Sequence, residues 1–76
     1  MGKSRDLLKL SKLLEHWAGH NTSHKESFLK WRDIAQDYGL VKIVDNLNKA
    51  IEMLDKSSEY LIEASKESLK NIDAEN

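Results

Sequence analysis

The sequence contains no cysteine and no proline, and only three of its 76 residues are glycine. Without cysteine, a disulfide framework, a thiolate metal site and a cysteine nucleophile are all excluded. Proline and glycine are the residues that most strongly interrupt helices, and both are scarce here. The composition therefore favours an all-α fold and disfavours a β-sheet.

An excess of one charge and a long apolar run are also missing. Lysine and arginine number 12 against 13 acidic residues, so the net charge is −1 and no basic surface predicts binding to nucleic acid. No apolar run approaches the roughly 20 residues that span a bilayer, and the N-terminal residues fit neither a secretory signal nor a myristoylation pattern. We expect a cytoplasmic protein with neither a membrane nor a nucleic-acid partner.

The length predicts one helical domain over residues 1–76. Domains below roughly 70–80 residues rarely gain more than about 3–5 kcal/mol from a single core, and many recruit a metal ion or a second subunit. A metal site or a second subunit would therefore add to the stability of a chain of this length.

The C-terminal segment, from about residue 41 to about residue 72, repeats every seven residues. This repeat predicts a coiled-coil-like helix with leucine at the d positions. The d positions are Leu40, Leu47, Leu54 and Leu61, and the a positions are Val44, Ile51, Ser58, Ser65 and Ile72. One flank is mostly small and would let a neighbouring helix approach closely; it consists of Ile43, Ala50, Ser57 and Ala64.

The N-terminal segment, from about residue 5 to about residue 38, carries the same alternation of three and four residues. It predicts a second helix, with the two tryptophans and the third histidine on its packing seam. The predicted seam is Leu7, Leu10, Leu14, Trp17, Asn21, His24, Phe28, Trp31, Ala35 and Tyr38. Gly39 follows it and is the best helix stop in the chain.

Local chemistry near residues 19–23 leaves two architectures open. Gly19 costs about 1 kcal/mol in a helix interior, and the Asn21–Ser23 run offers good N-caps. A bent but continuous helix predicts an antiparallel hairpin about Gly39, in which the numbers of facing residues sum to roughly 79. We expect two such hairpins to pair as a four-helix bundle. A break predicts a three-helix bundle instead. We favour the hairpin.

Three histidines, His16, His20 and His24, lie four residues apart and are the only histidines in the chain. Neighbours at this spacing share a helix face, and two imidazoles can bind one ion through bonds of about 2.0–2.1 Å. Along a straight helix His16 and His24 are about 12 Å apart, so three ligands to one ion require a bend or break between them. In the heptad frame His24 lies on the seam, His20 lies beside it and His16 points away.

Two functions follow from these patterns. The first is a small metal-binding module for zinc or nickel, with His16, His20 and His24 as ligands, since imidazole suits both ions. Asp55, Glu59 and Glu63 fall opposite the histidines in the hairpin, although only Asp55 flanks the seam. The second is a protein-interaction or oligomerisation module. In that case a polar layer would set the helix register, formed by Asn21, His24, Ser57 and Ser58. No nucleophile with a base, phosphate-binding loop or paired-carboxylate cleft is present, so no enzymatic activity is expected.

Residues 13–31, LLEHWAGHNTSHKESFLKW, resemble a small family of archaeal and bacterial helical proteins. The shared motif is H-W-x-x-H-N-x-x-H, followed by an acidic stretch, a phenylalanine and a tryptophan. The resemblance implies that the signature positions are His16, Trp17, His20, Asn21, His24, Phe28 and Trp31. Gly19 departs from the pattern, in which a longer polar residue is usual. The resemblance implies a helical fold and carries no established activity.

Overall fold

The chain forms an antiparallel hairpin of two long helices. The computed structural model describes the backbone of residues 2–75 and the side chains of residues 2–72. Helix α1 runs over Gly2–Asp37 and helix α2 over Val41–Glu75. The predicted all-α hairpin is confirmed, with each helix extending about three residues further at its outer end than the sequence pattern indicated.

The turn between the helices is built on Gly39, which has a φ of +71°. Its N–H donates to the Gln36 carbonyl at 2.9 Å, and the N–H of Leu40 donates to the Ala35 carbonyl at 3.0 Å. These two bonds make a Schellman motif, which satisfies the last carbonyls of α1. The Leu40 carbonyl then accepts the Val44 N–H at 3.0 Å, so Leu40 serves as the N-cap residue of α2.

Helix α1 continues without a break through residues 19–23. The Thr22 hydroxyl donates to the Ala18 carbonyl one turn earlier, at 3.4 Å, so it does not cap a new helix. A break at this point and the three-helix bundle that depended on it are therefore wrong. The reason is cooperative. Interrupting α1 would divide one long packing seam, and the packing energy lost would exceed the cost of a single glycine in the helix.

Within α2 the seam lies where the heptad repeat predicts, whereas Leu40, the first predicted d position, lies in the turn and is 45% exposed. Half of the seam predicted for α1 is wrong. The row Leu7, Leu14, Asn21, Phe28 and Ala35 faces α2, as predicted. The second row of the α1 seam consists of Ser11, Ala18, Lys25 and Arg32, whereas Leu10, Trp17, His24 and Trp31 are exposed. Helix α2 therefore packs against the opposite side of the shared row.

Small side chains explain this choice of side. Ser11 is only 2% exposed and Ala18 only 6%, so the two helices approach closely there. The Ser65 hydroxyl donates across the seam to the Ser11 carbonyl at 3.0 Å, and the Ser68 hydroxyl donates to the Leu7 carbonyl at 2.7 Å. Indole rings in this row would hold the helices too far apart for these bonds.

Further along the seam, long basic side chains replace apolar ones. Lys25 Nζ lies 2.8 Å from Asp55 Oδ1, and Arg32 Nη1 donates to Asn48 Oδ1 at 3.2 Å. Both side chains are partly buried, because their methylene stems cover the seam while the charged ends reach its edge. Both pairs lie within a residue of the register predicted from the hairpin.

The molecule is a thin rod of 57 × 14 × 12 Å. Its radius of gyration is 17.2 Å, against about 11 Å for a compact domain of this length. Within residues 2–75, neither helix combines the length and the apolar character that crossing a membrane requires.

Candidate histidine site and the outer face of helix α1

All three histidines lie on α1, and their side chains are exposed. The rings of His20 and His24 meet edge to face with their centroids 4.6 Å apart. The rings of His16 and His20 are 6.5 Å apart. His24 is also 6.2 Å from the ring of Phe28. The helix therefore brings His20 and His24 together and leaves His16 at a distance.

The spacing of His20 and His24 suits a shared metal ion. Two imidazoles that bind one tetrahedral ion through bonds of about 2.0–2.1 Å have ring centroids about 5 Å apart. The 4.6 Å between the rings of His20 and His24 is close to that value, whereas the rings of His16 and His20 lie further apart, at 6.5 Å. Helix α1 is unbroken, so no interruption between His16 and His24 brings the three imidazoles together on one ion.

Carboxylates do not complete a site within one chain. Asp55, the acidic residue predicted nearest to His24, pairs with Lys25 at 2.8 Å. Glu63 pairs with Lys66 on its own helix at 3.4 Å, and Glu59 is exposed. Among the described residues, no group of three or more histidine, cysteine, aspartate and glutamate side chains could hold a metal ion.

The polar layer predicted around Asn21 is present in part. Asn21 Nδ2 donates to Ser57 Oγ at 3.1 Å, one residue away from the Ser58 expected by arithmetic. His24 is exposed and does not join this layer, so its predicted place on the seam is wrong. The sequence did not predict the hydrogen bonds that the hydroxyls of Ser65 and Ser68 donate to the carbonyls of Ser11 and Leu7. The available signal was the presence of serines at heptad positions.

The side chains that α2 leaves uncovered form a continuous surface on α1. Trp17 is 45% exposed, Trp31 58% and Leu10 40%. We call this surface the outer face, and it consists of Leu10, Leu13, Trp17, His20, His24, Ser27, Trp31 and Ile34. All of these residues except Ile34 are exposed, and their spacing alternates by three and four along the helix. Core packing of both tryptophans within the chain, as the sequence predicted, is wrong.

The outer face and the small flank of α2 lie on the same side of the hairpin. Asn21 belongs to the row of α1 next to the outer face, and it contacts Ser57 of the small flank. Ala64 and Ser57 of that flank are exposed, and Ala50 is partly exposed. This side of the rod therefore joins a row of large aromatic side chains on α1 to a row of small ones on α2, and His20 and His24 lie at the middle of the large row.

A family model described as a domain of unknown function (DUF8180) matches residues 10–68. The match covers all three histidines, the outer face and the turn. No curated protein matches the chain, and no solved structure does.

Proposed function

The chain belongs to the DUF8180 family, whose description names no activity, and from its geometry we propose that it is a homodimerisation module. Two hairpins pair through their outer faces and form an antiparallel four-helix bundle. The observation that carries this proposal is the uncovered outer face, with Trp17 and Trp31 about half exposed.

The surface area of the hairpin supports a second copy as the occupant of this face. The chain exposes 5928 Å², whereas a folded monomer of 8.8 kDa typically exposes about 4,800 Å². The excess is about 1,100 Å², and each partner in a stable protein complex typically buries about 800 Å². One additional copy of the chain is thus enough to cover it.

The spacing of the outer face also fits a second copy, because it is the same in both directions along the helix. From Leu10 to Ile34 the steps are three and four residues in alternation, beginning and ending with three. An antiparallel copy therefore matches the face position by position. The packing of α1 on α2 follows the same rule, since the spacing of the α1 seam matches that of the α2 seam taken in reverse.

This match fixes the register of the proposed dimer. Its two-fold axis passes between His20 and His24, the midpoint of the face. Four kinds of layer result, each formed by one residue from each copy: Leu10 with Ile34, Leu13 with Trp31, Trp17 with Ser27, and His20 with His24. Apolar side chains fill the outer layers, and the small Ser27 leaves room for Trp17. On α2, the small side chains of Ala50, Ser57 and Ala64 allow the two copies to approach.

The molar mass in solution tests the proposal. Light scattering coupled to size-exclusion chromatography should give twice the 8.8 kDa of the chain in the presence of chelator. Trp31→Lys should give the mass of a monomer, because it introduces a charge into the apolar interface. Tyr60→Lys is the matched control: Tyr60 is 76% exposed and lies on α2, outside the proposed interface, so this variant should stay dimeric.

Circular dichroism of each variant at the same concentration separates a loss of pairing from a loss of helix. A wild-type protein that stays monomeric at high concentration contradicts the proposal. Equal dissociation of the Trp31→Lys and Tyr60→Lys variants also contradicts it, because the effect would then not be specific to the outer face.

A further inference from the structure

We propose that the dimer binds one divalent transition-metal ion on its two-fold axis, through His20 and His24 of both copies. The site rests on the proposed dimerisation and uses four imidazole ligands, two from each α1 helix. Four imidazole ligands match the tetrahedral coordination of zinc, and nickel is the alternative ion for an all-imidazole site.

Each chain supplies two of the four ligands at a suitable spacing. The rings of His20 and His24 lie 4.6 Å apart, close to the separation of two imidazoles that bind one tetrahedral ion. Two ligands alone leave half of the coordination shell to water. A two-fold axis beside this pair supplies the second half without any change in the fold of α1. His16 is not needed, so its 6.5 Å separation from His20 presents no obstacle.

The position of the axis follows from the extent of the outer face, because the register that covers the whole face pairs the most positions. An antiparallel copy covers all eight positions from Leu10 to Ile34 when the midpoint of the face, between His20 and His24, lies on the axis, and a shift of seven residues leaves part of the face uncovered. In that register His20 of each copy faces His24 of the other. Facing helices of a bundle commonly build metal sites from side chains that project inward in this way.

The aromatic rings and the nearest lysine favour binding of a cation, although the ammonium group of Lys30 lies 5.8 Å from the ring of Trp31 on the outer face. Trp17 and Trp31 belong to layers on either side of the histidine layers, so their rings limit access of water along the interface. The nearest cation along the helix, Lys25, is turned toward α2, where its ammonium group lies 2.8 Å from Asp55. Its charge is thereby directed away from the outer face and partly neutralised.

Zinc titration of chelator-treated protein tests the site. Calorimetry should give one zinc ion per two chains, and zinc should raise the melting temperature of the dimer. His20→Ala and His24→Ala should each remove measurable binding at micromolar zinc, since each deletes two of the four ligands. His16→Ala is the matched control, because it removes a ring of the same kind from the same helix, and it should bind zinc like the wild type. Circular dichroism should give the same helix content for all three variants.

The monomeric Trp31→Lys variant separates the metal site from the dimer. It retains every histidine and should lose the zinc binding together with the second copy. A wild-type dimer that binds no zinc would overturn the metal site and leave dimerisation standing. A stoichiometry of one zinc per chain, retained in a monomer, would place the ligands within one chain and overturn the shared site. Loss of binding in His16→Ala to the extent seen in His20→Ala would also overturn it.

Discussion

Replacing Gly19 by alanine should stabilise this protein. Gly19 lies in the middle of α1, and a Cβ added there would have no other atom within 4 Å. Its φ is not positive, unlike that of Gly39. Glycine in a helix interior costs about 0.8–1.0 kcal/mol relative to alanine, because more backbone freedom is lost on folding. The free energy of unfolding of the variant should therefore rise by about 1 kcal/mol, which corresponds to an increase of about 4–8 °C in Tm for a domain of this size.

Thermal and urea denaturation followed by far-UV circular dichroism measure this change. Wild type and variant must be compared at one protein concentration, because the stability of the proposed dimer would depend on it. Gly39→Ala is the control with the opposite sign: at a φ of +71° a side chain costs about 1–2 kcal/mol, so its Tm should fall. A Gly19→Ala variant less stable than the wild type would refute the continuous helix, since it would mean that Gly19 adopts a conformation that alanine cannot.

Three further substitutions probe the seam between the helices, each measured by urea denaturation. Ile51→Ala should lower the free energy of unfolding by about 2–5 kcal/mol, because Ile51 is only 9% exposed; a change below 1 kcal/mol would place it outside the core. Ser68→Ala should cost about 0.5–1.5 kcal/mol, because it removes the 2.7 Å bond to the Leu7 carbonyl, and an unchanged stability would refute that bond. Asp55→Asn should cost less than about 1 kcal/mol and lose its effect in high salt, since the side chains of Lys25 and Asp55 are 35% and 51% exposed; a larger, salt-independent loss would contradict this.

The two helices differ in how far their sequences determine their packing. In α2, apolar side chains at the seam form one narrow stripe, with Leu47, Leu54 and Leu61 at d, and the predicted seam is the observed one. In α1 the row that contains Leu14 is shared by two possible seams. The aromatic side chains, Trp17 among them, favoured one seam, and α2 packs on the other. Periodicity cannot distinguish these seams, because close approach depends on small side chains meeting across two helices.

The sequence around both internal glycines indicated a helix end, but α1 ends only near Gly39, for a physical reason. Gly39 is followed directly by the helical pattern of α2, and its positive φ allows the two bonds of the Schellman motif. Gly19 is flanked by good N-cap residues, yet the helix continues through it. A cap stabilises by about 1 kcal/mol, which is too little to outweigh the packing of a seam that extends on both sides.

The spacing of the histidines predicted which of them are neighbours on the helix, but not which rings lie closest together. A separation of four residues brings rings onto one helix face, and the sequence therefore identified His20 with both of its neighbours. Spacing alone does not fix side-chain rotamers, which bring the rings of His20 and His24 to 4.6 Å and leave those of His16 and His20 at 6.5 Å. Nor could it predict that His24 lies outside the intramolecular seam, because that depended on which side of α1 the second helix covers.

The location of both indoles on the outer face separates two spectroscopic signals that usually change together. In the isolated hairpin Trp17 and Trp31 are 45% and 58% exposed, so their fluorescence is sensitive to whatever covers that face. Circular dichroism depends instead on the helices, which do not need the face to be covered in order to exist as secondary structure. On dilution, a red shift of the tryptophan emission at constant ellipticity would therefore report the dissociation of the proposed dimer into two folded chains, and no external label would be needed.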